Sequence, residues 1–337
     1  MSSPFRPART ACTPSARATS ARSRRGSKSA RQLLSAAAIC AALILAACGV
    51  GPGKELDGAA RLEVTRDFGQ RFLGGTARIA VVHESDTVMR FLEKTHDVET
   101  SYGGGFVDSI DGVRGDKAAR RDWFYYVNGI EASKGAADFE LSPGDRIQWD
   151  HRSWTAAMRV PVIVGAYPEP MVNGQEGRRL PVRVQCEREN SEACQGALRR
   201  LSDSGVIATQ SSLQGPAGEH SVRVLVGRWS ALREVRGAAG IERGPRASGV
   251  FARFRGDSLE LLDGDGRVAR TAAPGTGLVA ATETGPSGIV WVVTGVDDAG
   301  VERAVEALDE RKLHGAYAVA ETERETTRLP IVEGSGE

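Results

Sequence analysis

The sequence predicts an α+β fold, and three observations point to it. The chain has 337 residues and is 41% hydrophobic, which is enough apolar side chain to form a buried core. Between residues 60 and 155, short runs of strand-forming residues are separated by Asn-Gly and Pro-Gly turn signals. From residue 156 to 332, apolar strands that end in glycine alternate with amphipathic helices. Many short strands with few helices indicate the α+β class.

In the first region, residues 60–155, one helix is predicted, with Asp86 as its N-cap. Val88, Phe91 and Leu92 follow at i, i+3 and i+4, so they share one face of that helix. Strands are predicted where apolar and polar residues alternate or aromatic residues cluster, at Leu62–Arg66, Arg78–Val82, Phe106–Ile110, Trp123–Val127 and Arg146–Trp149.

In the second region, residues 156–332, Asp297 is predicted to cap a helix over Asp298–Lys312, and a second helix is expected near Glu192–Leu201. Strands are predicted at Val162–Gly165, Val224–Gly227 and Val290–Gly295. Residues 181–236 alternate strand, helix, strand, strand and helix. This order predicts a split βαβ or ferredoxin-like unit.

The amino terminus has the pattern of an export signal. Residues 1–32 carry eight basic residues and no acidic one, and Leu33–Ala47 is fifteen residues without a charge. That run is shorter than the roughly 20 residues that span a bilayer, which favours a signal peptide over residues 1–47. A signal anchor is the alternative. Arg24 and Arg25 leave export by a twin-arginine route open.

The segment Leu45-Ala46-Ala47-Cys48 resembles the lipobox of bacterial lipoproteins. The resemblance implies cleavage before Cys48 and a diacylglycerol on its thiol. Residues 48–59 would then be a flexible tether, and the protein would lie at the outer face of the cytoplasmic membrane. The last residues, 333–337, are expected to fray.

Two further cysteines, Cys186 and Cys194, are expected to form a disulfide, because exported chains are oxidised. Two free thiols are the alternative. A zinc site is disfavoured, because no Cys-x-x-Cys motif or histidine pair accompanies them.

Charge and motif content narrow the function classes. Beyond residue 32 the chain holds 36 basic and 43 acidic residues. This balance argues against nucleic-acid binding, which needs a clustered basic surface. Known nucleophile, metal and phosphate-loop motifs are missing from the sequence, so we expect a protein that is not an enzyme and needs no cofactor or metal.

Three runs in order, Phe106–Gly112, Trp123–Gly129 and Leu141–Trp149, resemble the carboxy-terminal domain of transcobalamin and intrinsic factor. A family of secreted bacterial proteins of unassigned function shares this pattern. The resemblance implies a β-grasp-like fold, a sheet wrapped on one helix. In transcobalamins this domain covers one face of the corrin ring of cobalamin, and a helical barrel holds the other face. This chain has no such helical repeat, so a helical-barrel partner or a membrane importer would have to complete the site.

The aromatic strand supplies the candidate ligand-binding residues. Trp123 and Tyr125 alternate with Phe124 and Tyr126, so the two pairs lie on opposite faces. One face could form a platform for a flat ligand, with Trp123, Tyr125, Asn128 and Trp149 as the contacts. Alternatively, both faces are packed, one against the helix and one against the second region. Asn128 could simply shape its turn, and Trp149 could join the two regions.

These features predict a lipid-anchored extracytoplasmic binding protein, for cobalamin or a similar small molecule in an uptake system. The alternative is an adaptor of the cell envelope that binds a partner protein or cell-wall glycan. Residues 181–236 support the alternative through a faint similarity to the sporulation-related repeat that binds peptidoglycan.

Overall fold

The computed structural model describes residues 53–332 except 216, 217, 219, 286 and 287. The predicted signal peptide, Cys48 and the tail 333–337 lie outside the described residues. The described residues form one compact unit that contains both predicted regions. Its strands and helices confirm the α+β class.

The first region contains the elements β1 Glu55–Leu56, β2 Ala60–Arg66, β3 Arg71–Phe72, β4 Ala77–Ile79, β5 Val82–His83, α1 Val88–Thr95, β6 Val98–Ser101, β7 Phe106–Ile110, β8 Val113–Arg114, β9 Arg121–Val127, β10 Ile130–Glu131 and β11 Arg146–Ser153. The main sheet has the order β10-β9-β11-β2-β3, with β4 also paired to β2. At its centre β2 and β11 run parallel. Helix α1 buries Val88, Met89, Phe91 and Leu92 in the core of this region, which gives a β-grasp-like arrangement.

Helix α1 begins one residue later than predicted. Its N-cap is Thr87, whose side chain accepts a hydrogen bond from the main-chain N–H of Arg90 at 3.2 Å. Asp86 instead accepts from the His83 N–H at 2.9 Å and from Lys94 Nζ at 3.0 Å. The carboxylate therefore anchors the preceding turn rather than the first turn of the helix.

The second region contains β12 Val182–Cys186, α2 Glu192–Asp203, β13 Ala208–Ser212, β14 Ser221–Arg228, α3 Trp229–Leu232, α4 Pro245–Ser248, β15 Ala252–Arg255, β16 Ser258–Leu262, β17 Val268–Thr271, β18 Gly277–Glu283, β19 Gly288–Gly295, α5 Asp298–Glu306, α6 Glu310–Leu313, β20 Ala318–Glu321 and β21 Thr326–Leu329. Seven strands form one sheet in the order β13-β12-β14-β19-β18-β20-β21. A smaller antiparallel sheet has the order β15-β16-β17.

The large sheet differs in topology from the ferredoxin-like prediction. Strands β13, β12, β14 and β19 are mutually parallel neighbours, and β18, β20 and β21 complete the sheet in antiparallel fashion. Because β12 and β13 lie side by side, the βαβ unit around α2 is not split by another strand. Central strands such as β14 and β19 are buried on both faces, as expected for the parallel part of a sheet.

Two predicted elements of the second region are wrong. Val162–Gly165 is buried irregular chain, with one isolated bridge between Val162 and Ile130, and it turns at once because the Tyr167 N–H bonds to Val164 O. The helix predicted over Asp298–Lys312 ends at Glu306, and α6 starts afresh with Asp309 as its cap. Asp297 caps α5 as predicted, accepting from the Gly300 N–H at 2.7 Å.

The two faces of the large sheet pack against different partners. One face, with Val222, Val224 and Val226, is covered by α2 and α5. On the other, Leu225 packs with the small sheet and with Phe68 and Tyr126 of the first region. The two regions therefore share a hydrophobic core.

Candidate functional site

Both faces of the aromatic strand β9 are packed inside the protein. Trp123 lies in the core of the first region, 6% exposed, and its Nε1 donates to Val113 O at 2.9 Å. Tyr125 stacks on Trp149 with ring centroids 4.8 Å apart, and its hydroxyl donates to Lys134 O at 2.5 Å. Phe124 and Tyr126, on the opposite face, pack into the core shared with the second region. The arrangement is the packed alternative considered above rather than an open platform.

Asn128 and Trp149 are also enclosed. Asn128 is 1% exposed with a positive φ of 54°. Its amide donates to Asp145 Oδ1 and Gly174 O, each at 2.9 Å, and its Oδ1 accepts from the Arg146 N–H at 2.9 Å. These bonds occupy the side chain in shaping the turn. Trp149 is 3% exposed and packs within the first region, so it does not join the two regions.

The junction between the regions is polar as well as apolar. Asp150 is fully buried, and its carboxylate accepts from Thr65 Oγ1 at 2.8 Å, the Gly69 N–H at 3.1 Å and the Tyr317 hydroxyl at 2.8 Å. Burial raises the pKa of Asp150, which the hydrogen bonds only partly oppose. Arg152, also fully buried, lies over the Phe124 ring at 3.6 Å. Each of these groups has a partner within the protein, so we assign the network a structural role, which is to stabilise the junction between the two regions.

A close approach of two backbones tightens this junction. A Cβ on Gly69 would lie 1.8 Å from Gly315 O, and Gly69 has a φ of +75°. Only glycine fits both the distance and the backbone conformation. The neighbouring Glu63 carboxylate contacts His314 Nε2 at 2.9 Å. Burial opposes ionisation of Glu63, but the hydrogen bonds from His314 and Thr76 outweigh it and lower its pKa.

An open crevice lies instead at the carboxyl ends of the parallel strands. From β12 the chain crosses through α2 to β13, which lies on one side of β12 in the sheet. From β14 the chain continues to strands on the opposite side, where β19 is the neighbour of β14. Loops at such a point of divergence leave a crevice, where ligands of open α/β sheets commonly bind. Here the crevice measures about 280 Å³. It is lined by Glu187, Arg188, Ser191, Glu192, Ala193, Val226, Gly227, Asp298, Val301 and Glu302.

Ion pairs connect charged side chains at this crevice. Glu187 Oε2 accepts from the Arg228 N–H at 2.8 Å, and Oε1 accepts from Arg228 Nη2 at 2.5 Å. Burial opposes ionisation of Glu187, but the bonds from Arg228 outweigh it and lower its pKa. Across the crevice, Arg188 Nη2 donates to Asp298 Oδ1 at 2.6 Å. Four carboxylates against two arginines leave an acidic excess, which suits a polar ligand that carries a cationic group.

The predicted disulfide joins two residues that are next in sequence to Glu187 and Ala193, which line the crevice. Cys186, the last residue of β12, is bonded to Cys194 in the first turn of α2, with Cα atoms 5.9 Å apart. Ser191 caps the same helix, accepting from the Cys194 N–H at 3.2 Å. The sequence signal for this site was the repeated strand that ends in glycine, here at Gly227, together with the capped helices. That signal indicated α/β structure without identifying the site.

Other polar features have structural roles. Asp263 Oδ1 accepts from the N–H groups of Asp265 and Arg267, each at 2.9 Å, which forms the hairpin turn between β16 and β17. His151 is 4% exposed, and burial lowers the pKa of its imidazole to about 4. Within the described residues, no group of three or more His, Cys, Asp or Glu side chains could hold a metal ion. In that part of the chain no helix has the length and apolar character to cross a membrane.

Comparison with protein families gives a match within the first region. Residues 85–153 match the model of the family DUF4430, described as a domain of unknown function. No curated protein matches the chain.

Two solved structures resemble part of the chain, each with 15% identity, a TM-score of 0.22 and 28% of this chain covered. One is from Ruminococcus gnavus ATCC 29149, described as a candidate metal binding protein, of which 97% is covered. The other is haptocorrin in complex with Cbi, of which the chain spans 26%. This chain is thus an α+β protein with a segment that matches the DUF4430 model.

Proposed function

We propose that this protein is an extracytoplasmic binding protein, held at the outer face of the cytoplasmic membrane by a lipid on Cys48. The crevice between β12 and β14 is its site for a small polar ligand. The observation that supports this most is the position of the crevice at the divergence of the parallel strands, with charged side chains from β12, α2 and α5 converging on it.

The charges of the crevice indicate the class of ligand. The ion pair Arg188–Asp298 is exposed, with about half of each side chain in contact with solvent. A ligand can therefore replace one partner of this pair at a small cost in free energy. Glu187 is held more firmly, because 15% of its side chain is exposed and Arg228 binds it through both main chain and side chain. The ammonium group of a ligand could form ion pairs with Glu192 and Glu302, because no arginine among the described residues is paired with either carboxylate. The volume, about 280 Å³, suits a molecule near the lower size limit of ordinary ligand sites.

Calorimetric titration of the lipidated protein in detergent with spermidine and with lysine tests this site. We expect saturable binding that Glu302→Gln weakens by about tenfold, since one charge contact is removed. Glu306→Gln, an exposed carboxylate on the same helix but outside the crevice, is the matched control and should leave binding unchanged. Equal effects of the two variants, or no binding of either amine, would contradict the proposal.

The corrinoid version of the proposal rests on the transcobalamin resemblance. The packed aromatic strand provides no open face for a corrin ring, and the crevice is too small to enclose one. A helical-barrel partner would therefore have to supply most of the contacts. Titration with cobalamin and cobinamide, with and without such a partner, tests this version. No binding at hundreds of micromolar in either case would exclude it.

Anchoring is tested by Cys48→Ser. If Cys48 carries the lipid, the variant should accumulate as a longer precursor or leave the membrane fraction, because both cleavage and acylation require the thiol. The measurement is gel mobility together with membrane fractionation. Unchanged mobility and full membrane retention would refute lipidation.

An envelope adaptor is a second candidate. It is favoured by the packing of both faces of β9, which leaves the first region without a platform for a flat ligand. Peptidoglycan pull-down and crosslinking in intact cells distinguish the two. Retention on peptidoglycan with no binding of small amines would favour the adaptor.

A further inference from the structure

Among the described residues, strands β21 and β17 each have one edge without a strand partner, and these edges lie on either side of a groove. Strand β21 is the last strand of the large sheet, and β17 is the last strand of the small sheet. The groove between them measures about 510 Å³. It is lined on one wall by Ala269 and Arg270 and on the other by Thr326, Thr327 and Arg328.

The outer edge of β21 presents unpaired main-chain groups. The hairpin between β20 and β21 is closed by the Thr322 N–H bonding to Glu325 O at 2.9 Å. Inward and outward main-chain groups alternate along an antiparallel ladder. With the register Ala320↔Thr327 and Val319↔Arg328, Thr327 bonds inward to β20. The N–H and C=O groups of Thr326 and Arg328 therefore point outward, toward the groove.

The groove also holds an uncompensated positive charge. Arg270 is already engaged, since its Nη2 donates to Thr327 Oγ1 at 2.7 Å and its Nη1 lies 3.5 Å from Glu325 Oε2. Arg328 is partly buried, and among the described residues its guanidinium has no hydrogen bond or ion pair. Loss of hydration alone lowers the pKa of Arg328. A partly desolvated cation without a partner is costly, so a carboxylate placed here gains more than at an ordinary surface arginine.

We propose that this groove binds an extended acidic peptide, which adds as a strand along β21 and places a carboxylate on Arg328. Main-chain pairing to an exposed sheet edge is an established mode of peptide recognition. The outward groups of Thr326 and Arg328 supply the pairing, and the unpartnered guanidinium supplies the preference for acidic side chains. This surface is separate from the crevice at β12 and β14, so each proposal can fail without the other.

Fluorescence anisotropy of a labelled synthetic peptide tests the proposal on the full-length protein. The probe alternates valine with glutamate over about eight residues, the length of a typical strand. We expect saturable binding that is weakened about tenfold or more by Arg328→Gln, and equally by replacing glutamate with glutamine in the peptide. Arg324→Gln, an exposed arginine in the hairpin loop outside the groove, is the matched control and should bind like the wild type.

Three results would overturn the proposal. The first is no saturable binding up to about 1 mM peptide. The second is an equal loss of binding in Arg324→Gln, which would show attraction by general surface charge. The third is a dimer in sedimentation that Arg328→Gln dissociates, which would assign the edge to a second copy of the chain. Circular dichroism of each variant confirms that the fold is intact.

Discussion

Tyr317, in the second region, donates a hydrogen bond to a buried carboxylate of the first region. Its hydroxyl donates to Asp150 Oδ2 at 2.8 Å, and its ring contacts Phe68 and Tyr126 edge-on. The bond spans 167 residues of chain. Loss of the hydroxyl would leave one lone pair of a buried carboxylate without a donor.

We therefore predict that Tyr317→Phe lowers the free energy of unfolding by about 1–3 kcal/mol, the cost of an unsatisfied buried polar group. Urea denaturation measures the change. Tyr102→Phe makes the same chemical change at a side chain that is 87% exposed, and it should have no effect. Equal effects at the two positions would show that the junction bond contributes nothing.

The burial of His151 predicts that the free energy of unfolding depends on pH. In the folded protein, burial lowers the pKa of the imidazole to about 4, with the nearby Arg121 and Arg66 adding to the shift. In the unfolded chain the pKa returns to its usual value of about 6.5. Between these values the unfolded state binds more protons, so the free energy of unfolding falls as pH drops from about 6.5 to 4, by roughly 3 kcal/mol in all.

The measurement is urea denaturation across this range for the wild type and for His151→Phe, in which the decline should be smaller. The comparison between the two proteins is needed because ionisation of Asp145 changes the free energy of unfolding with pH in the opposite direction. Burial raises the pKa of Asp145 to about 6, so its contribution is lost as pH rises. That contribution is common to both proteins and cancels in the difference. Parallel pH curves would contradict the role of His151.

At the scale of elements, the disulfide ties the end of β12 to the first turn of α2. It closes a short loop, because Cys186 and Cys194 are separated by eight positions in the sequence. Restriction of the unfolded chain by a loop of this length is worth roughly 2.5 kcal/mol. We predict that the double variant Cys186→Ala, Cys194→Ala loses about this much in the free energy of unfolding.

Urea denaturation with and without reductant checks this prediction. Reductant should destabilise the wild type and leave the double variant unchanged. If reductant affects both proteins equally, or neither, the disulfide does not contribute as expected.

Elements with a strong local signal could be predicted from the sequence. The β9 strand has consecutive aromatic residues and an Asn-Gly turn, and it formed as expected. Helix α5 has the expected cap Asp297 before an apolar face, although it ends earlier than predicted, at Glu306. The segment Val162–Gly165 was mistaken for a strand because buried irregular chain and buried strand have the same apolar composition. Its main chain makes one isolated bridge to Ile130 and bonds to Gly129 O, but it forms no continuous ladder with a neighbouring strand.

The candidate site was harder to predict for a related reason. Alternation along β9 correctly separates Trp123 and Tyr125 from Phe124 and Tyr126, but it does not show what covers each face. That information lies in contacts with Tyr317 and Leu225, which are far away in sequence. The crevice depends on the order of strands in the large sheet, which no local pattern encodes.

At the scale of the whole molecule, the shared core predicts one unfolding transition for both regions. Phe68 and Tyr126 of the first region pack in the same cluster as Leu225 and Trp229 of the second. Elements that share buried surface lose it together. We predict that tryptophan fluorescence and far-ultraviolet circular dichroism give coincident urea transitions. Two separated transitions would show that the regions are independent domains.

The glycine contact between Gly69 and Gly315 has a mechanical consequence. The main chains of the two regions are in contact at these glycines, and the hydrogen bond from Tyr317 to Asp150 also links the regions. We therefore expect little hinge motion between them. If the proposed crevice binds a ligand, its residence time should therefore depend on the contacts made in the crevice and not on closure of the two regions around it.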